Sequence, residues 1–274
     1  MIDLENLSNL MEEYWKNSRA ELEARWAAWP LDLSKDEVHE VVGALLARQV
    51  SLANGIIHAP LIWTGHVAPI VLRTMVDTHI TLVWICGDSV ERSRRFIHYG
   101  LGQTKLDIEH RKAQWNEREP ALREKTFVDA LEDWLNSQRW SFLTEVDVGR
   151  WSGTTTRKMA EECDLLDFYN YCYMPFSAAT HSMWHHVAKY NLARCKSPLH
   201  RHHHIPVAPD LPWDPYYAEL AAKYMNRSFR FFDEQFSVRV EVPNSYETLQ
   251  VRLREVFVDE ETSGERSREE DSKQ

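Results

Sequence analysis

Apolar residues recur every three or four positions along most of this chain, a spacing that predicts helices. Leu4, Leu7, Leu10, Met11, Tyr14 and Trp15 make one such stripe, so residues 3–28 read as a long amphipathic helix. The stretch "WPLDLSKDEV" interrupts it, and Ser34 with Glu37 three places on has the pattern of a capping box. A second helix is predicted over 35–52. The third, over 60–86, is apolar except where Pro60, His66, Pro69, Arg73, Asp77 and His79 break the run, and it stops at Cys86-Gly87-Asp88. Charged helix follows over 89–117, with a bend expected at Gly100 or Gly102, and an amphipathic piece over 120–136. An irregular stretch precedes the return of helix near Thr155. Residues 164–190 read as one helix with a kink or break at Pro175. "CKSPLHRHHHIPVAPDLPWDP" is a loop rich in Pro and His, and helix returns over 214–236 and, briefly, 244–257. Alternation suited to a strand is confined to "SVRVEV" at 237–242, an edge hairpin at most.

This order of elements describes an all-α fold: a helical bundle of six to eight helices in one domain, 1–257, followed by a disordered acidic tail, 258–274. The 9 glycines of the 274-residue chain leave few tight turns, which argues against an all-β sandwich and for long helices. The formal charge of −10 removes any general attraction to nucleic acid, so RNA or DNA contact would need a local basic patch. Cys86, Cys163, Cys172 and Cys195 lie far apart with no C-x-x-C pair, and the acidic, amphipathic start carries no secretory signal. A cytoplasmic protein with free thiols is expected. The apolar stretch 56–86 reads as a core helix and not a membrane span, so no membrane association is expected. The stripe on the first helix offers a homodimer face or a part of the core.

Against this apolar background a few polar residues stand out. Arg73 and Asp77, at i and i+4, face each other on the third helix and suit a salt bridge, either structural or part of a polar site. Tyr169, Tyr173, Ser177, His181 and His185 follow at four-residue steps. Each step advances about 400°, so the row drifts only about 40° and stays on one helical face. Ser177 and His181 can bond each other, with His181 the natural acid or base near neutral pH. His181 and His185 also have the spacing of a zinc or iron pair, with Asp77 or His66 as third ligand. The H-E-x-x-H signature is missing, and neither a metal nor a cofactor is assigned. "HRHHH" at 200–204 is read as a packed or solvated loop. Arg92, five residues and His98 form a weaker alternative, similar to the Arg-His motif of the helical ribonuclease superfamily called HEPN.

The segments "RTMVD" (73–77), "WSGTTTRKMAEECDL" (151–165) and "YNYCYMPFSAATHS" (169–182) together resemble an uncharacterised helical family, domain of unknown function number 5677, over about residues 35–195. The resemblance places that family's polar residues on Arg73, Asp77, Trp151, Tyr173, Ser177 and His181. It departs at Asp77, where Glu is usual, and at Cys163-Asp164, where a Gly is common. Relatives look like components of mobile, phage-defence or toxin-type loci. The resemblance therefore implies a hydrolase-like or nuclease-like component acting on a phosphate-containing substrate, either a small molecule or a nucleic acid. Arg73, Asp77, Ser177 and His181 would be catalytic, and Trp151, Tyr173 and His185 would line the pocket. The rival expectation is a non-enzymatic interaction or scaffold protein in which the same cluster only specifies helix packing. Both rest on the third helix meeting the Tyr173–His181 helix.

Overall fold

The computed structural model describes residues 4–115, 118–138 and 149–257. The segment expected to form a disordered tail, 258–274, lies outside them. The described chain is mostly helical: α1 (Leu4–Ala28), α2 (Asp36–Ile57), α3 (Ala68–Cys86), α4 (Ser89–Gln114), α5 (Leu122–Ser137), α6 (Thr156–Glu162), α7 (Leu166–Phe168), α8 (Met174–Thr180), α9 (Trp184–Asn191) and α10 (Tyr216–Phe236). A 3₁₀ turn (Pro60–Ile62) joins α2 to α3, and a five-residue π-helix (Tyr169–Tyr173) joins α7 to α8. Residues 245–257 are also helical. Two three-residue strands, β1 (Leu192–Arg194) and β2 (His204–Pro206), pair antiparallel as a short hairpin.

The most apolar helices, α2 and α3, form the centre. Both pack on α10, α1 and α4 flank α2, and α6 and α8 lie against α3. Both are long and apolar enough by length and composition to cross a membrane, yet each has its apolar face buried inside the bundle. Leu72, Met75, Val76, Ile80 and Leu82 of α3 are fully shielded, as are Ile56 and Ile57 of α2. Trp63 is buried completely, and its indole N–H donates to the Ile56 carbonyl at 2.7 Å, which satisfies its one polar atom. The stripe of α1 is consumed internally: Leu7, Leu10 and Tyr14 are buried, and the Tyr14 hydroxyl reaches Met225 Sδ on α10 at 3.4 Å.

A buried charge network closes the other side of α1. Arg25 forms a bidentate pair with Asp233 of α10, at 2.9 and 2.8 Å. Its Nη1 donates to the Glu21 carbonyl at 3.1 Å. Glu21, only 2% exposed, accepts from both the backbone N–H and the hydroxyl of Ser245, at 3.0 and 2.5 Å. Such a cluster is tolerated in the interior because each charge is paired and hydrogen-bonded.

The helix count exceeds the six to eight expected, because the stretch read as one helix over 164–190 is divided. Asp164 (φ 56) precedes α7, the π-helix intervenes, and Ser182 (φ 48) separates α8 from α9. The π-helical turn ends two residues before Pro175, so the helix is irregular there, while the backbone stays right-handed helical through Tyr173 and Met174; the chain turns away at Asp164 and Ser182 instead. The expected capping box at Ser34 does not form. Ser34 N–H and Oγ instead bond Asp32 Oδ1 at 3.0 and 2.6 Å, a local turn that competes with capping, and α2 starts after Lys35. Thr155 does cap α6, accepting from Lys158 N–H at 3.2 Å. Residues 237–242 form no strand.

Candidate functional site

The segments carrying Arg73 and Tyr173 do meet. Arg73 Nε donates to Ser177 Oγ at 3.2 Å, and its Nη2 donates to the Tyr173 hydroxyl. The guanidinium carbon also lies 4.5 Å from the Tyr173 ring centroid, a cation–π contact. Tyr169 stacks on Tyr173 with centroids 4.7 Å apart, an arrangement set by the π-helical turn that carries both. Asp77 does not pair with Arg73 in the expected salt bridge, because the guanidinium turns across to α8 and the π-turn. The partner of Asp77 is Thr156 of α6, whose hydroxyl donates to Oδ1 at 3.3 Å. Burial raises the Asp77 carboxyl above the ordinary carboxylate range, and the nearby Arg73 charge and the Thr156 bond only partly offset this. Tyr173 is raised too, by burial and then by the Asp77 charge.

The remaining expected residues stand apart from this cluster. His181 is the C-terminal cap of α8; its N–H bonds the Ser177 carbonyl at 3.0 Å, but its ring is exposed and makes no hydrogen bond among the described residues. The four-residue spacing holds only while a helix continues, and the chain turns away at Ser182. His185 is likewise exposed, on α9 beyond the turn at Ser182, so the two histidines do not follow one another along a continuous helix. Its neighbour His186 instead stacks on His66, centroids 5.5 Å apart, beside Tyr190. Trp151 does not edge the Arg73 cluster. It packs edge-on against Trp84 and Phe96, at 5.5 and 4.8 Å, about 10 Å along α3 from Asp77. Arg92 belongs to that same aromatic knot: it lies 3.7 Å over Trp84 and donates to the Trp84 carbonyl at 2.5 Å. Glu162 completes the knot by accepting from Trp84 Nε1 at 2.7 Å. The Arg92 guanidinium is thus engaged at this knot, and His98, six residues on in α4, is half-buried.

A second polar centre, on another face of α3, has no counterpart in the sequence motifs. His79 is 2% exposed, and its Nε2 accepts from Arg227 Nε at 3.2 Å. The proton must therefore sit on Nδ1, which faces Ser228 Oγ at 3.0 Å. Ser228 Oγ accepts from Gln49 Nε2 at 3.1 Å and donates to the Tyr224 carbonyl at 3.2 Å. The ring is thus a neutral, single-tautomer imidazole. Burial and then the Arg227 charge push it down to about 3. Two residues further on from Asp77, His79 lies about 160° round the helix from it.

His79 and Arg227 line a cavity of about 890 Å³ between α3, the α6–α8 region and α10. Lys223, Arg227 and Arg230 give its α10 wall three cations against one carboxylate, Glu234. None of these three cations forms a salt bridge among the described residues. Aromatic rings make much of the rest, beside Val83, Leu165 and Leu220: Phe168, over which Arg227 lies at 4.3 Å, Phe231, and Tyr171 and Tyr216 at the exposed mouth. Positions 223, 227 and 230 fall on one helical face, a signal that was present in the sequence but had no partner pattern to mark it.

The profile of a family of unknown function, DUF5677, matches residues 39–196, which run from α2 to just past β1 and include every member of the Arg73 cluster. No curated protein and no solved structure matches the chain.

Proposed function

Since the matched stretch takes in more than half of its residues, the chain belongs to the DUF5677 family, and from its own cavity between α3 and α10 we propose that it binds there a phosphate-bearing ligand with an aromatic or heterocyclic ring, such as a nucleotide. The observation that carries this reading is the lining of that cavity: three cations without salt-bridge partners facing aromatic rings, in a protein of net charge −10. Cations without a carboxylate partner in so acidic a chain favour an anion, and the tyrosines and phenylalanines offer faces for a planar ring. The volume falls within the range of small-ligand sites. The family segment supplies the His79 and Phe168 side, while α10 supplies the cations.

Titration calorimetry with adenosine and guanosine triphosphates, and with inorganic phosphate for comparison, tests this. Binding of a nucleotide, weakened more than about tenfold in a Lys223→Gln/Arg230→Gln variant, is expected, since charge-assisted bonds contribute roughly 1.5–3 kcal/mol each. Absence of saturable nucleotide binding, or unchanged affinity in that variant, would overturn the proposal.

A hydrolytic reading centred on Asp77 is the second one, and a specific observation favours it. A carboxyl raised by burial, beside a cation and a π-helical turn, has the character of an acid or base group. Here Asp77 takes the part first expected of His181, and Arg73 orients the tyrosine. This site lies on another face of α3 from the cavity and would take its own phosphate-ester substrate; hydrolysis of such an ester, lost in Asp77→Asn with nucleotide binding in the cavity unchanged, would support it, and turnover equal to wild type would exclude it.

A further inference from the structure

We propose that the β1–β2 hairpin carries a zinc(II) site formed by Cys195, His200 and His203. Their ligand atoms, the Cys195 sulfur and one ring nitrogen from each histidine, all lie within 4.8 Å of one another. Cys195 Sγ is 3.7 Å from His200 Nδ1. A tetrahedral zinc with ordinary metal–sulfur and metal–nitrogen bond lengths places such a pair roughly 3.5 Å apart. Small rotations of the two imidazoles, whose centroids are 5.6 Å apart, would complete the geometry. The fourth position is left to water.

The backbone holds the three residues in place before any metal arrives. Cys195 N–H donates to the His203 carbonyl at 3.0 Å, continuing the ladder that pairs Arg194 with His204. Within the loop, His200 N–H bonds the Ser197 carbonyl and His203 N–H bonds the His200 carbonyl, each at 3.1 Å. These turns bring two histidines back over one thiol. The donor set, one thiolate and two imidazoles, selects a borderline transition ion over magnesium or calcium. A metal here also has a physical role. A hairpin of two three-residue strands, with β2 fully exposed, is marginal alone. A zinc bridge across its tip would fix the path from α9 to residue 207, whose N–H returns to the Asn191 carbonyl at 2.9 Å. This site lies apart from the proposed nucleotide cavity and does not depend on it.

The test uses the full chain stripped with a chelator and titrated with zinc against a chromophoric competitor, and separately with cobalt(II). One zinc per chain is expected, and the cobalt form should show a thiolate-to-metal charge-transfer band with intense tetrahedral visible bands. Cys195→Ser should abolish the charge-transfer band and weaken zinc binding more than about tenfold; His200→Ala provides a second ligand deletion. The double variant His202→Ala/His204→Ala should keep both properties. The proposal fails if wild-type cobalt protein lacks the band or Cys195→Ser binds zinc like the wild type. It also fails if the double variant loses as much affinity as Cys195→Ser, which would mark simple chelation by a histidine-rich surface.

Discussion

The buried His79 makes a quantitative forecast about acid. In the folded protein its ring stays neutral down to about 3, whereas the unfolded chain titrates it near its ordinary value of 6.5. Between those values the unfolded state binds the extra proton, so stability rises with pH across this window and falls as pH drops through 6.5. Each unit of pH inside the window is worth about 1.4 kcal/mol, so about pH 4.5 should remove roughly 3 kcal/mol through this group. That is a large part of the stability of an ordinary domain. His79→Gln isolates the effect from the other twelve histidines. A glutamine can accept from Arg227 and donate to Ser228, yet does not titrate. Urea unfolding followed by circular dichroism, for both proteins from neutral pH to about pH 4.5, gives the comparison. The wild type should lose roughly 3 kcal/mol more than the variant. Parallel stability curves, or an imidazole resonance for His79 titrating near its ordinary value, would refute the assignment of a buried neutral ring.

The Arg73 cluster gives two further expectations. Arg73→Met removes the donor to Ser177 and Tyr173, which are 4% and 8% exposed, and should cost roughly 1–3 kcal/mol by thermal or chemical unfolding. Arg73→Lys should restore only part of this, since an ammonium cannot span both hydroxyls as the planar fork does. Asp77 works in the opposite sense: its raised carboxyl favours the protonated form in the fold, so its contribution is present at low pH and is lost as pH rises through the raised value. Asp77→Asn should therefore leave the melting temperature unchanged or higher at neutral pH, and a lower one would contradict the burial argument.

Periodicity revealed the bundle because α1, α2, α3 and α10 are long and each buries one continuous face. The four-residue row from Tyr169 to His185 was legible only as far as Ser177. Beyond it the row assumed an unbroken helix, and no residue type at Ser182 announces a left-handed turn as a glycine would. The Arg73–Tyr173–Ser177 contact was readable because all three interrupt apolar stretches, and buried polar groups must find one another. Thr156 was missed as the partner of Asp77 since it looks like any residue in a helix's first turn. The His79 centre was invisible for a different reason. Gln49, Arg227 and Ser228 come from two other helices and obey no local spacing. Likewise Cys195, His200 and His203 converge only because the hairpin folds the loop back, which the Pro- and His-rich composition does not encode.

Glu21 and Ser245 are 224 positions apart in the chain, yet the carboxylate of the first is satisfied by the second. During synthesis α1 would emerge from the ribosome long before residue 245 exists. Until then that acid must remain hydrated or be shielded by another protein. Removal of the stretch beginning at Ser245 would leave the Glu21 carboxylate with Arg25 as its partner and weaken the docking of α1.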